Sequence, residues 1–371
     1  MRRITKTLIP LVLLAISGTI ARAEAETGPS VVTSIRPVHA LASAVMEGVS
    51  SPHLIVQGAG SPHSYTLRPS DAKALQDAKL VFWIGPDLET FLRSPLASLA
   101  SGARIVTLAD MPGLTRLALR EETHLDMDEA GEHEEHADHE EHEEHADHEE
   151  HEEHADHDEH ADHEEHAEHE EHAEHEEHAD HEEHADHEGH EEVGHHDDHA
   201  HDHGAFDPHL WLDPENAAAM TREIARALGQ ADPENAERYQ ANSDSLVADI
   251  SRLSDEITQL LAPVQNRPYV TFHDAYQYFE KRFGLTTAGF ITLNPETSPG
   301  ARRIREIQHA IDDLGGTCLF AEPQFEPKLL AAIAEGSDVK YGTLDPLGSE
   351  FEPGPGHYPA MMRALAHALS D

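Results

Sequence analysis

Cysteine is nearly absent from this chain of 371 residues, Cys318 being its single example. An intramolecular disulfide is therefore excluded. Basic residues are scarce as well: Lys and Arg number 25 against 73 Asp and Glu, for a formal net charge of -48. That balance argues against nucleic-acid binding. Beyond the N-terminal stretch no segment is long and apolar enough to cross a membrane. The stretch itself, Met1-Arg2-Arg3 followed by an apolar run from Leu8 to Ile20 and closing on Ala21-Arg22-Ala23, has the three parts of a secretory signal peptide. Residues 1–23 are expected to be removed. Glu24, not a cysteine, stands directly after the cleavage point, so a periplasmic chain without a lipid anchor is expected.

What is abundant is histidine, and most of the acid lies beside it. From His133, through His136 and His139, to His187 and His190 a histidine falls at every third position, and His195, His196, His199, His201 and His203 follow. This tract has no Lys, Arg or aromatic residue, so it buries too little surface to offset the entropy of ordering it. We expect a disordered loop over residues 121–205. A spacing of three falls about 60° short of a helical turn at each step, so no single helix face would carry the histidines. Imidazole and carboxylate are metal ligands, which makes a metal-collecting tract the expectation rather than a plain solvated spacer.

Outside the tract, short apolar runs alternate with helical periods. Strands are expected at Val31–Ile35, His53–Val56, Lys79–Ile84 and Arg104–Leu108, and again at Pro268–Phe272, Thr286–Ile291, Thr317–Phe320 and Val339–Leu344. The expected fold class is α/β: two parallel-sheet lobes joined by a long helix, with the His-rich loop inserted in the first. The boundaries are 24–232 for the N-terminal lobe, 233–262 for the bridging helix and 263–371 for the C-terminal lobe. A helix is also expected from Asp274 and another over residues 327–334.

Ligands of open α/β sheets bind beyond the carboxyl ends of the strands. His63, His273 and Asp345 all follow a strand, and His209 lies between the Asp-Pro turns at Asp207 and Asp213. Three imidazoles with a carboxylate or a water make a tetrahedral zinc site. Glu322, before Pro323, is expected behind these ligands.

Four stretches then carry a resemblance. Gly58-Ala59-Gly60-Ser61-Pro62-His63-Ser64-Tyr65 running on to Asp71, Asp207-Pro208-His209-Leu210-Trp211-Leu212-Asp213-Pro214, Phe272-His273-Asp274-Ala275-Tyr276 and Phe320-Ala321-Glu322-Pro323-Gln324-Phe325 resemble the signatures of the ZnuA-type receptors. These are the periplasmic solute-binding proteins of zinc ABC importers. The resemblance implies two α/β lobes with Zn2+ in the cleft, His63, His209 and His273 as its ligands, and an inner-membrane zinc ABC permease as partner. A periplasmic zinc chaperone is a further candidate partner, and a monomer is expected. Related manganese receptors usually carry a carboxylate in place of His273, so a third imidazole favours zinc. Two departures stand out. Pro62 replaces the acidic residue that often precedes the first ligand, which leaves Asp345 or water as fourth ligand, and Cys318 lacks the disulfide partner found in some relatives. Cys318 is expected to be buried in its strand.

The function expected is capture of zinc in the cleft and delivery to the permease, with the tract collecting or sensing metal. The alternative is a storage or chaperone protein acting mainly through the tract. An enzyme is not expected. A zinc peptidase needs a His-Glu-x-x-His motif, which a spacing of three never supplies.

Overall fold

Each half of the chain builds the same four-stranded parallel sheet. In the first half these are β1 (Val31–Thr33), β2 (His53–Leu54), β3 (Leu80–Trp83) and β4 (Arg104–Thr107), ordered β2-β1-β3-β4. In the second, β5 (Tyr269–His273), β6 (Gly289–Thr292), β7 (Cys318–Ala321) and β8 (Lys340–Thr343) are ordered β6-β5-β7-β8, and every neighbouring pair in both sheets is parallel. The computed structural model describes residues 28–120, 206–292, 295, 300–313, 317–325 and 339–371. The expected signal peptide, the His-rich loop with its accessory histidines and the helix over 327–334 lie outside these. All described residues belong to one compact unit, formed by residues 1–128 and 202–371.

Parallel strands need crossover connections, and helices supply them. They are α1 (Arg36–Val45), α2 (Pro69–Asp77), α3 (Arg93–Leu99), α6 (Gln277–Phe283) and α7 (Ala301–Asp313). Between the halves come α4 (Pro214–Ala231) and α5 (Ala236–Leu261). Asp213 caps α4 by accepting from the Glu215 N–H at 3.0 Å, beside a proline whose ring presets the first turn. The bridging helix begins later than residue 233, because Pro233–Asn235 forms a separate 3-10 turn. Its corner is tied by Asp232, which accepts from the Tyr239 hydroxyl and the Asn235 amide, each at 2.8 Å. The 26 residues of α5 span about 39 Å and bury Leu246, Ile250, Leu253, Ile257 and Leu261, one stripe at helical spacing. The last helix, α8 (His357–Ser370), returns to pack on α1 and α5.

One hydrophobic core consequently runs from the first sheet through α4, α5 and α8 into the second half, where it takes in Tyr276, Tyr278 and Phe279. A smaller cluster of Val270, Phe272, Ile291, Ile307 and Leu319 lies on the other face of the second sheet. Alternation along β5 sends Val270 and Phe272 to that cluster, and Tyr269, Thr271 and His273 to the opposite face. That parity places a histidine at the end of β5 facing the first half.

Side-chain hydrogen bonds lock the halves together. The Trp211 indole donates to the Pro346 carbonyl at 2.8 Å, and the Tyr358 hydroxyl donates to the Trp211 carbonyl at 2.9 Å. Arg282 grips both oxygens of Asp213 at 2.8 and 3.0 Å, a charge-assisted bidentate pair. Cys318 departs from expectation: it is half-buried, because it lies at the open starting edge of β7 in a groove with Val264, Arg267 and Lys340.

His39 in α1 supplies a pH prediction. Its Nε2–H donates to the Pro52 carbonyl (3.2 Å) and the Ser43 hydroxyl donates to Nδ1 (3.3 Å), a neutral arrangement that burial reinforces by pushing the imidazole down to about 4. In the unfolded chain the ring takes its proton near 6.5. The unfolded state therefore binds more protons across that window, and the stability owed to the neutral ring is complete above pH 6.5 and declines as pH falls to 4. Between pH 7 and pH 4 the wild type is expected to lose about 3 kcal/mol relative to His39→Gln in parallel denaturant titrations. Parallel pH profiles for the two proteins would refute the assignment.

Candidate metal centre

Three histidines from separate parts of the chain converge. His63 lies in the loop that leaves β2, where a left-handed Gly58 (φ 64°) turns the backbone and the His63 N–H donates to Ser61 Oγ at 3.2 Å. His209 precedes a buried 3-10 turn, Leu210–Leu212, where the chain re-enters the first half. His273 ends β5. One nitrogen from each ring lies within 4.8 Å of the others, and the ring centroids are 5.7, 5.4 and 4.9 Å apart. A tetrahedral zinc ion with bonds of about 2.0–2.1 Å holds its nitrogen ligands about 3.4 Å apart. Small ring movements would close that difference. The pocket they line has a volume of about 10 Å³, room for one ion or one water.

A carboxylate sets the orientation of one ring, and a second carboxyl group lies near another. Asp207 accepts from the His209 backbone N–H (3.0 Å) and from its Nδ1–H (2.7 Å) with the same oxygen, leaving Nε2 with a free lone pair. Glu322, just beyond β7, places Oε1 3.5 Å from Nδ1 of His273, and both atoms are buried without a hydrogen-bond partner. Burial holds His273 and His63 well below the usual imidazole range, and neighbouring imidazoles add to the effect. The same burial pushes Glu322 up to about 8. Ring and acid thus meet uncharged, and a cation among the imidazoles is what would draw the proton off Glu322 and tighten that contact.

Asp345 is placed elsewhere. Its Oδ1 accepts from Gln324 Nε2 (2.8 Å) and the Leu347 N–H (3.0 Å), and its Oδ2 from the Ser349 N–H (2.5 Å) and hydroxyl (2.6 Å). The carboxylate is saturated by its own turn and lies outside the three-histidine group, so Glu322 is the acid that faces the pocket. Sequence reasoning missed the part played by Asp207. Its signal was an acid two residues before a histidine, close enough to cap the backbone and the ring together.

Comparisons with known proteins show the family and the fold. Residues 31–371 match the family described as zinc-uptake complex component A, periplasmic. The chain is 46% identical over 341 residues to the high-affinity zinc uptake system protein ZnuA of Brucella abortus (strain 2308), covering 92% of this chain and 90% of that one. It is 40% identical over 362 residues to the protein of that name from Paracoccus denitrificans (strain Pd 1222), with 97% of each covered. Among solved structures, a crystal structure of ZnuA superposes with a TM-score of 0.62 at 20% identity, over 92% of this chain and 99% of that one. The solute-binding protein FpvC of Pseudomonas aeruginosa, in complex with Mn2+, superposes at 0.63 and 16% identity, over 92% and 98%. The last two share the fold. The chain belongs to the ZnuA family of periplasmic zinc-uptake components, transport receptors rather than enzymes.

Proposed function

We propose that this chain captures Zn2+ in the periplasm on His63, His209 and His273 and delivers it to an inner-membrane ABC permease. The observation that carries the reading is the convergence of three nitrogens, two on buried rings, with an acid behind two of the three. Neutral imidazoles are the protonation state zinc requires. Glu322 supports His273, with its own oxygen or a water completing four ligands. The hydrogen bonds that join the halves make release a matter of local loop movement rather than wide hinge opening. The His-rich tract is accessory, a collector or sensor of metal for the cleft.

Calorimetric titration of zinc into the chain lacking residues 121–204, with and without the three histidines, tests the assignment. A subtler variant examines the supporting acid. Glu322→Gln keeps shape but removes the charge that a bound cation calls for, and zinc affinity should fall about tenfold in a competition assay against a chelator. An unchanged affinity would remove Glu322 from the site.

A further inference from the structure

Beneath two of the three histidines lies a buried acid cluster that the ligand set does not use. Asp274 follows His273 directly, Glu280 lies in α6, and Asp207 supports His209. The side chains of Asp274 and Glu280 are only 3% and 4% exposed. Arg120, arriving from the first half, is the cation that meets them: its guanidinium donates to Asp274 Oδ1 at 3.0 Å and to Glu280 Oε2, and Asp207 adds to the attraction. The acids are fixed on their other sides. The Tyr269 hydroxyl donates to Glu280 at 3.0 Å, the Gln277 amide to Asp274 at 3.4 Å, and the Asp274 N–H to the Thr292 carbonyl at 3.2 Å.

We propose that Arg120 is a positioning residue for the metal centre: by holding Asp274 and Glu280 it fixes the end of β5 and so sets how fast bound zinc leaves. The inference rests on the reading of His63, His209 and His273 as ligands and extends it to a residue that touches none of them. A buried carboxylate stripped of its cation swings toward water. Asp274 is one peptide unit from His273, so that movement shifts a ligand.

Arg120→Met and Arg120→Lys, made in the full chain and loaded with zinc, test this. Release into excess chelator is followed through the change in tryptophan fluorescence, which Trp211, its ring 5.3 Å from His209, carries over the background of Trp83 and which so reports on the cleft rather than the tract. The visible spectrum of the Co2+ form reports ligand geometry, which a merely structural residue would leave alone. Arg120→Met is expected to release zinc about tenfold faster with an altered Co2+ spectrum, and Arg120→Lys, able to serve one carboxylate at a time, to fall between it and the wild type. Should Arg120→Met fail to fold by circular dichroism, the Lys variant decides, and its release must exceed that of the wild type. Wild-type release and spectrum in the folded variants overturn the proposal, even if thermal stability drops. His209→Ala separates the two readings: if it keeps tight zinc, the ligand assignment is at fault. If it loses zinc while the Arg120 variants behave as wild type, only the present inference falls.

Discussion

Zinc titrated into the chain lacking residues 121–204 is expected to fill one tight site, and the same chain carrying His63→Ala, His209→Ala and His273→Ala is expected to fill none. A closed four-ligand zinc site contributes about 10–16 kcal/mol at neutral pH, or about 3 kcal/mol for each ligand. Losing one imidazole thus costs on the order of a hundredfold in affinity, and losing all three takes binding out of the calorimetric range. The shortened chain should fold unchanged, since the Asp207 N–H donates to the Leu117 carbonyl at 2.8 Å and Tyr278 bonds to both residues. Weak binding alone in the shortened chain would sink the cleft assignment and leave storage on the tract as the leading function. A tight site surviving the triple substitution would place the metal elsewhere in the lobes.

The second large effect concerns Trp211. The side chain is completely buried, its indole N–H is satisfied by Pro346 from the second half, its carbonyl by Tyr358, and its ring lies against His209. Trp211→Ala would leave a cavity and strand the Pro346 carbonyl. Truncation of a large core aromatic costs about 3–5 kcal/mol, and an orphaned buried acceptor about 1–3 kcal/mol more. A fall of the calorimetric midpoint on the order of 10 °C follows for a chain of this size. Trp211→Phe keeps most of the packing and loses the donor, so it should recover more than half of that loss. A midpoint for Trp211→Ala within a degree or two of wild type would mean that the halves are held by other contacts.

The strands and the convergence of the three histidines were legible because each obeys a local rule. Val31-Val32-Thr33 and Leu80-Val81-Phe82-Trp83 are continuous buried runs, and His273 falls where a parallel strand must end. Asp345 misled for the opposite reason. An Asp-Pro pair after a strand reads the same whether its carboxylate points at a metal or caps its own turn; here the turn's own Leu347 and Ser349 donors take it, with the Gln324 amide, 21 residues back, added by tertiary placement. The start of α6 failed likewise: Asp274 resembles a helix cap, yet its carboxylate is committed to Arg120, and the helix begins at Gln277. Arg120 itself had no sequence signal, since its partners stand 154 and 160 residues away.

The neck formed by Leu117 and Asp207 has a consequence for inheritance. Because these two residues are bonded to each other, and Arg120 just past Leu117 is itself bonded to the second half, the sequence encoded beyond Arg120 is not called on to hold the lobes in register. Near-identical units such as His133-Glu134-Glu135-His136-Ala137-Asp138-His139 are the kind of sequence that gains and loses copies when DNA is replicated. An in-frame insertion or deletion there changes the number of histidines and carboxylates without altering the sequence of the cleft. Copy number in this gene can therefore drift between generations, or be selected, as a trait separate from the chemistry of the site.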